Sequence, residues 1–169
     1  TETLLQAVAH WGIEETLKRC VGMLAIALWD RKAHTLTLAR DRFGEKPLYY
    51  GFAQGAGNDD GDITGRGPLL FGSELKALMA HPEWQGTLAT EALEGYLRFG
   101  CMGGWACIFQ GVAKLPPGSL LTITRADVQA GRLPTPVQWW SAEQAARAAM
   151  AEPPLVSPEA AIDAVEKAL

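Results

Sequence analysis

The residues whose types and spacing could do chemistry gather in one place. Arg40, Asp41, Arg42, Glu45 and Lys46 put five charges into the eight residues 40–47, between two apolar stretches. Gly44 is free to take a positive φ there, and Pro47 fixes the chain before Leu48, Tyr49 and Tyr50, so the turn should be more ordered than a generic loop. On the residues alone the simplest reading is a solvated hairpin end whose Arg and Asp pair locally. Elsewhere the chemistry is thinner. Glu74 is most simply a helix-start residue complementing the dipole, and Trp105, Trp139 and Trp140 are core or interface aromatics. Cys20, Cys101 and Cys107 form an odd set without the spacings of a zinc site or a disulfide framework, and are read as reduced and structural. His10, His34 and His81 each stand far from any cysteine or other histidine, so no metal site is expected. The run Asn58, Asp59, Asp60, Gly61, Asp62 has a calcium-like composition, but it lacks the register and closing Glu of an EF-hand and reads as a polar loop.

Whatever these residues do, a modest chain must position them. The sequence has 169 residues, 48% hydrophobic and 20% charged, enough for one core and too few for two full domains. A net charge of −4 and a pI near 5.4 provide no basic field, so nucleic acid is not an expected partner. No apolar run approaches the roughly 18 to 20 residues that span a bilayer, and the start lacks the order of a signal peptide. A soluble, cytoplasmic protein is expected.

Leu4, Leu5, Val8 and Trp11 recur at helical spacing up to Gly12, and residues 14–20 suit a second short helix. Residues 23–29 are continuously apolar, the pattern of a strand buried on both faces, with the small Ala25 and Ala27 on one of them. Thr35 to Ala39 alternates strictly and predicts the return strand of a hairpin. Residues 48–52 and 69–71 add two strands around a Gly/Asp-rich loop at 54–68, completing an antiparallel meander. Ser73 should cap a short helix with Glu74 in its first turn, and residues 90–99 a longer one ending at Gly100. Pro116, Pro117 and Gly118 turn the chain into a final short strand at 120–123. Ser141 with Gln144 makes a capping box for an Ala-rich helix that Pro153 and Pro154 must end, and Ser157, Pro158 and Glu159 start another that runs to Leu169. A helix at each end suggests that both ends were cut from a longer polypeptide.

Three blocks taken in order carry more information than any of them singly. Gly22 to Asp30, Leu38 to Tyr50 with the charged turn inside it, and Phe71 to Leu78 with Ser73 and Glu74 closely resemble glutamine-dependent asparagine synthetases. The resemblance continues through residues 96–100, 108–118 and 139–141, about 140 residues in all. The loop at 54–68 and the stretch 101–106 depart from the family's pattern.

The resemblance implies an α/β, or α+β, fold. It would be the four-layer αββα sandwich of antiparallel sheets of N-terminal-nucleophile hydrolases, incomplete at the N-terminus. Residues 1–140 would be the carboxy-terminal part of a class II glutaminase domain, and residues 141–169 a helical linker to a synthetase domain. In that family an N-terminal cysteine attacks glutamine, with its own α-amine as base and an Asn/Gly pair for the oxyanion. The ammonia crosses a tunnel to a domain where ATP and magnesium activate aspartate as an acyl-adenylate. The family's nucleophile, its glutamine-binding Arg and Asp and its oxyanion segment would fall before Thr1, and its phosphate-binding loop after Leu169. No catalytic residue and no cofactor site is therefore expected in residues 1–169. Thr1 is a poor substitute, because an N-terminal threonine nucleophile begins a strand and needs a partnering Lys, whereas Thr1 enters a helix. Met23 and Lys46 match places where the family's ammonia tunnel leaves the glutaminase half, although core packing for Met23 and a surface ion pair with Glu45 or Asp41 for Lys46 are equally serviceable readings. A degenerate, non-catalytic docking module, a relative with another acceptor of the β-lactam-forming or peptide-cyclising kind, and a homodimer stay open.

Overall fold

The computed structural model describes residues 1–56, 63–104, 106–151 and 157–168. Two helices come first. α1 (Glu2–Trp11) stops at Gly12, and α2 (Ile13–Arg19) packs back against it. Their apolar periodicity leads to little burial in α1, whereas α2 buries Thr16 and Leu17 completely.

β1 (Ala25–Asp30) and β2 (Thr35–Arg40) form an antiparallel hairpin that pairs Ala25 with Arg40 and Asp30 with Thr35. The Asp30 carboxylate closes it by accepting the N–H groups of Lys32 and Ala33 at 2.7 and 3.0 Å, an Asx-type turn. A second hairpin follows from β3 (Tyr49–Ala56) and β4 (Thr64–Gly72), with a register slip between Phe52 and Gln54. Then come α3 (Leu75–Met79), α4 (Thr90–Phe99), β5 (Val112–Lys114), β6 (Ser119–Thr124), α5 (Arg125–Ala130), β7 (Val137–Gln138), α6 (Ala142–Ala151) and α7 (Pro158–Ala168).

The strands divide into two antiparallel sheets, one ordered β1-β2-β6-β7 and the other β4-β3-β5. Their inner faces meet. Leu38, Leu121 and Ile123 from the first sheet and Tyr50, Phe52 and Ala113 from the second share one buried cluster with Leu48, Leu115 and Leu133. Side chains alternate across a strand, so Tyr49 and Val112, next to Tyr50 and Ala113, point to the far face of the second sheet. There they join Leu70, Leu75, Leu78 and Cys107 beneath α3, with Trp84 and Phe109 edge-to-face at 5.2 Å. The result is a mixed α/β protein with two antiparallel sheets and flanking helices.

Several expectations need correction. The strands do not form one meander, because β2 and β3 never pair and residues 40–47 carry the chain from one sheet to the other. β1 is not buried on both faces. It has β2 as its one neighbour among the described strands, so Trp29 stays 54% exposed. Met23, expected on this strand, lies before it and is 60% exposed. The described residues of the expected loop at 54–68 are largely strand, since Gln54, Gly55 and Ala56 pair with Arg66, Gly65 and Thr64, and ladder hydrogen bonds overrule glycine content. Ser73 does not cap α3. β4 runs to Gly72 and Glu74 is still extended (φ −135°, ψ 137°), so Glu74 takes the cap position and its carbonyl accepts the Ala77 N–H at 3.1 Å. Strand 120–123 is not the last, for β7 follows it after α5, whose capping box of Thr124 with Asp127 went unread. Ser141 and Ser157 do cap their helices, accepting from Gln144 and Ala160 at 3.4 and 3.2 Å. Trp105, the acidic run 58–62, Pro153, Pro154 and Leu169 lie outside the described residues. Among the described residues, no helix is long and apolar enough to cross a membrane, and no His/Cys/Asp/Glu group could hold a metal ion.

Candidate functional site

The charged turn between the sheets is densely hydrogen-bonded. It is not a solvated hairpin end. Arg40 is 6% and Asp41 2% exposed, and a charge survives such burial only when its hydrogen-bonding capacity is met. Both residues meet it with main chain rather than with each other. The Arg40 guanidinium donates from Nε to Lys46 O at 2.8 Å, from Nη1 to Leu115 O at 2.6 Å, and from Nη2 to Gly44 O. Burial pulls its pKa down while Asp41 and Tyr49 oppose that, and a guanidinium remains a cation regardless.

Asp41 is the complement, taking donors where Arg40 takes acceptors. Its Oδ1 accepts the Glu45 N–H at 2.9 Å, and its Oδ2 accepts those of Lys46 at 3.0 Å and Leu24 at 3.2 Å. Its own N–H donates to Leu24 O at 3.0 Å, and its carbonyl accepts from Gly118 at 2.8 Å and Gly44 at 3.2 Å. Burial disfavours the carboxylate most strongly, yet the N–H groups of Lys46, Glu45, Leu24 and Gly44 together outweigh it and hold the pKa below the ordinary carboxylate value.

Arg42 extends the node to α2, donating from Nη1 to Cys20 O and from Nη2 to Lys18 O, each at 2.5 Å, and its guanidinium lies 5.6 Å from the centre of the Trp139 ring. The carbonyls at the end of a helix lack intrahelical donors, so Arg42 completes α2 while tying it to the turn. Phe43 meets Trp140 edge-to-face at 5.0 Å. Trp139 and Trp140 in turn donate their main-chain N–H groups to Gly118 O at 2.8 and 3.1 Å. Gly44, at φ +67°, has no room for a side chain, since a Cβ would stand 2.8 Å from Arg40 Cζ and 2.9 Å from Pro117 Cγ. Pro47 is half-buried at the entry to β3.

The structure brings some of the sequence-predicted residues together and leaves others apart. Arg40, Asp41, Arg42, Gly44 and Pro47 form one node, and Met23 and Lys46 flank it through Leu24 and the Asp41 carboxylate. Ser73 and Glu74 sit elsewhere, before α3, where Glu74 pairs in the open with Lys76 at 2.6 Å. Leu24, Leu115 and Gly118 were missed as node partners because they contribute main-chain atoms only, which carry no residue-type signal. Trp139 and Trp140 were visible as aromatics, but not their partners.

Chemically the node is a clamp. The hydrogen-bonding atoms of Arg40 and Asp41 face main chain, and neither is placed to act on a substrate. The thiols are no better placed. Cys107 is buried, and desolvation pushes its pKa up despite the Phe109 and Ile108 N–H groups; a thiol kept protonated is a poor nucleophile. Cys20 is half-buried and Cys101 exposed, and all three are interior to the chain and lack an α-amine.

Residues 1–140 match the family model described as a glutamine amidotransferase domain. Among curated proteins the chain is 30% identical over 144 residues to asparagine synthetase [glutamine-hydrolyzing] 3 of Bacillus subtilis, covering 85% of this chain and 20% of the relative. It is 34% identical over 123 residues to asparagine synthetase [glutamine-hydrolyzing] 1 of the same organism, covering 73% and 17%. A putative asparagine synthetase [glutamine-hydrolyzing] of Mycobacterium bovis is 34% identical over 129 residues, covering 75% and 18%. The chain thus spans about a fifth or less of the length of these relatives. With a family model matched from its first residue through the second sheet and the charged turn, the chain belongs to the glutamine amidotransferase domain family.

Proposed function

We propose that this chain is the scaffold and transfer wall of a glutamine-hydrolysing asparagine synthetase acting in the cytoplasm. Residues 1–140 are the glutaminase part, built on the two-sheet plan of N-terminal-nucleophile hydrolases, and residues 141–169 the helical link to a synthetase domain. Water and glutamine give glutamate and ammonia, and the ammonia passes to aspartate to form asparagine. ATP with magnesium, bound in the synthetase domain, supplies the activation of aspartate. The thiol that attacks glutamine comes from outside residues 1–169, since none of Cys20, Cys101 and Cys107 has an α-amine to serve as its base.

The observation that carries this reading is the contrast inside the matched segment. Arg40 and Asp41 are spent on main-chain hydrogen bonds, while Met23 and Lys46 beside them remain exposed, free to line a passage. Among the described residues the Lys46 ammonium has no salt-bridge partner, which speaks against the surface ion pair.

The test compares two preparations supplied with glutamine. The full-length protein should release glutamate and form asparagine in step, and a bulky Met23→Trp should raise glutamate over asparagine. The 169-residue chain alone should release no glutamate; release that survives Thr1→Ala and replacement of all three cysteines would sink the account.

A further inference from the structure

Met23 and Lys46 share a peculiarity. Their side chains do nothing to fix their positions, Met23 being 60% exposed and outside both buried clusters and Lys46 exposed and without an ion pair among the described residues. An exposed side chain on an untethered backbone wanders over several ångströms, yet both backbones here are held. Leu24, adjoining Met23, gives its N–H to Asp41 Oδ2 at 3.2 Å and takes the Asp41 N–H on its carbonyl at 3.0 Å. Lys46 gives its N–H to the same Oδ2 at 3.0 Å and takes Arg40 Nε on its carbonyl at 2.8 Å. One carboxylate oxygen, with two acceptor sites, therefore joins two segments that lie 22 residues apart, Leu24 and Lys46.

We infer that Asp41 is a positioning residue for ammonia transfer, its Oδ2 setting the spacing between the Met23 and Lys46 segments. The inference rests on the transfer reading above and names the residue that governs it. Asp41 touches neither substrate nor ammonia. Burial at 2% exposure excludes water from the oxygen, so no solvent molecule can replace either N–H partner without opening the node. The Glu45 N–H on Oδ1 orients the carboxylate so that Oδ2 faces both segments.

The test uses the full-length protein and three readouts: glutamate released, asparagine formed from glutamine, and asparagine formed from added ammonium. Asp41→Ala removes the acceptor of three N–H groups, those of Leu24, Glu45 and Lys46, and should raise the ratio of glutamate to asparagine about tenfold or more. Ammonium-driven synthesis should hold within about twofold, since the synthetase chemistry lies elsewhere. Asp41→Asn keeps one oxygen able to accept both N–H groups but sets its NH2 against the Glu45 N–H, which the carboxylate accepts, and should restore part of the coupling that Asp41→Ala loses. Equal coupling in Ala, Asn and unsubstituted protein would overturn the inference, as would a parallel loss of all three readouts in Ala and Asn alike. If Asp41→Ala does not fold, hydrogen exchange on the unsubstituted protein decides, with matched slow exchange at the Leu24 and Lys46 amides expected and fast exchange at either overturning it. An unsubstituted protein that makes asparagine from ammonium but none from glutamine defeats the transfer reading itself, an outcome separate from loss of Asp41 control in a coupled enzyme.

Discussion

The turn at 40–47 and helix α4 (Thr90–Phe99) invert the expectation that charged segments face water and apolar ones face the core. The turn carries five charges and buries its first two residues almost completely, whereas α4 buries no residue and leaves Leu97 76% and Phe99 69% exposed. The difference lies in what each finds around it. The turn sits where both sheets and the end of α2 converge, and unpaired carbonyls and N–H groups there supply partners for a guanidinium and a carboxylate. Among the described residues α4 makes no extensive contact with either sheet, so its apolar side chains stay at the surface. Burial follows the available partners, not the hydropathy of a segment in isolation.

The sharpest way to break this comparison is to remove Arg40. Arg40→Ala strips donors from three carbonyls, those of Lys46, Leu115 and Gly44, and should cost about 3 kcal/mol or more in urea unfolding; a cost under about 1 kcal/mol would return the turn to an ordinary surface loop. Next comes Gly44→Ala, which sets a side chain at φ +67° against Arg40 and Pro117 and should cost about 2 to 3 kcal/mol by the same measurement. Acid titration refines the comparison. The Asp41 pKa is lowered in the folded state, so its contribution is present above the unfolded value near 3.9 and lost as pH falls through the folded pKa. The stability gap between the unsubstituted protein and Asp41→Asn should therefore be widest near neutrality and close below about pH 4; a gap constant across that range would show that charge has no part. The smallest effect belongs to α4, where Leu97→Gln should change stability by no more than about 0.5 kcal/mol. A loss several times larger would mean that Leu97 packs against something in the folded protein.

How much of this could be read from the chain follows the same division. Helices governed by local spacing and caps were legible: α1 and α2 around Gly12, α4 between Thr90 and Phe99, and the starts of α6 and α7 at Ser141 and Ser157. So was the hairpin of β1 and β2, although not the exposure of β1. The ordered blocks around Asp30, Asp41 and Glu74 also sufficed to place the chain in its family. The three-residue β5 and two-residue β7 were beyond reach, since such short segments have no periodicity to detect.

The types and spacings of residues by themselves determined most of the helices, the hairpin of β1 and β2 and the concentration of charge at 40–47. Only the tertiary structure decided that this charge lies between two sheets, that Arg40 and Asp41 bind main chain rather than each other, and that the Leu24 and Lys46 N–H groups meet on one carboxylate oxygen. The physical reason is that main-chain carbonyls and N–H groups are the same at every residue, so the partners that make a buried charge tolerable leave no mark on the chain until folding brings them together.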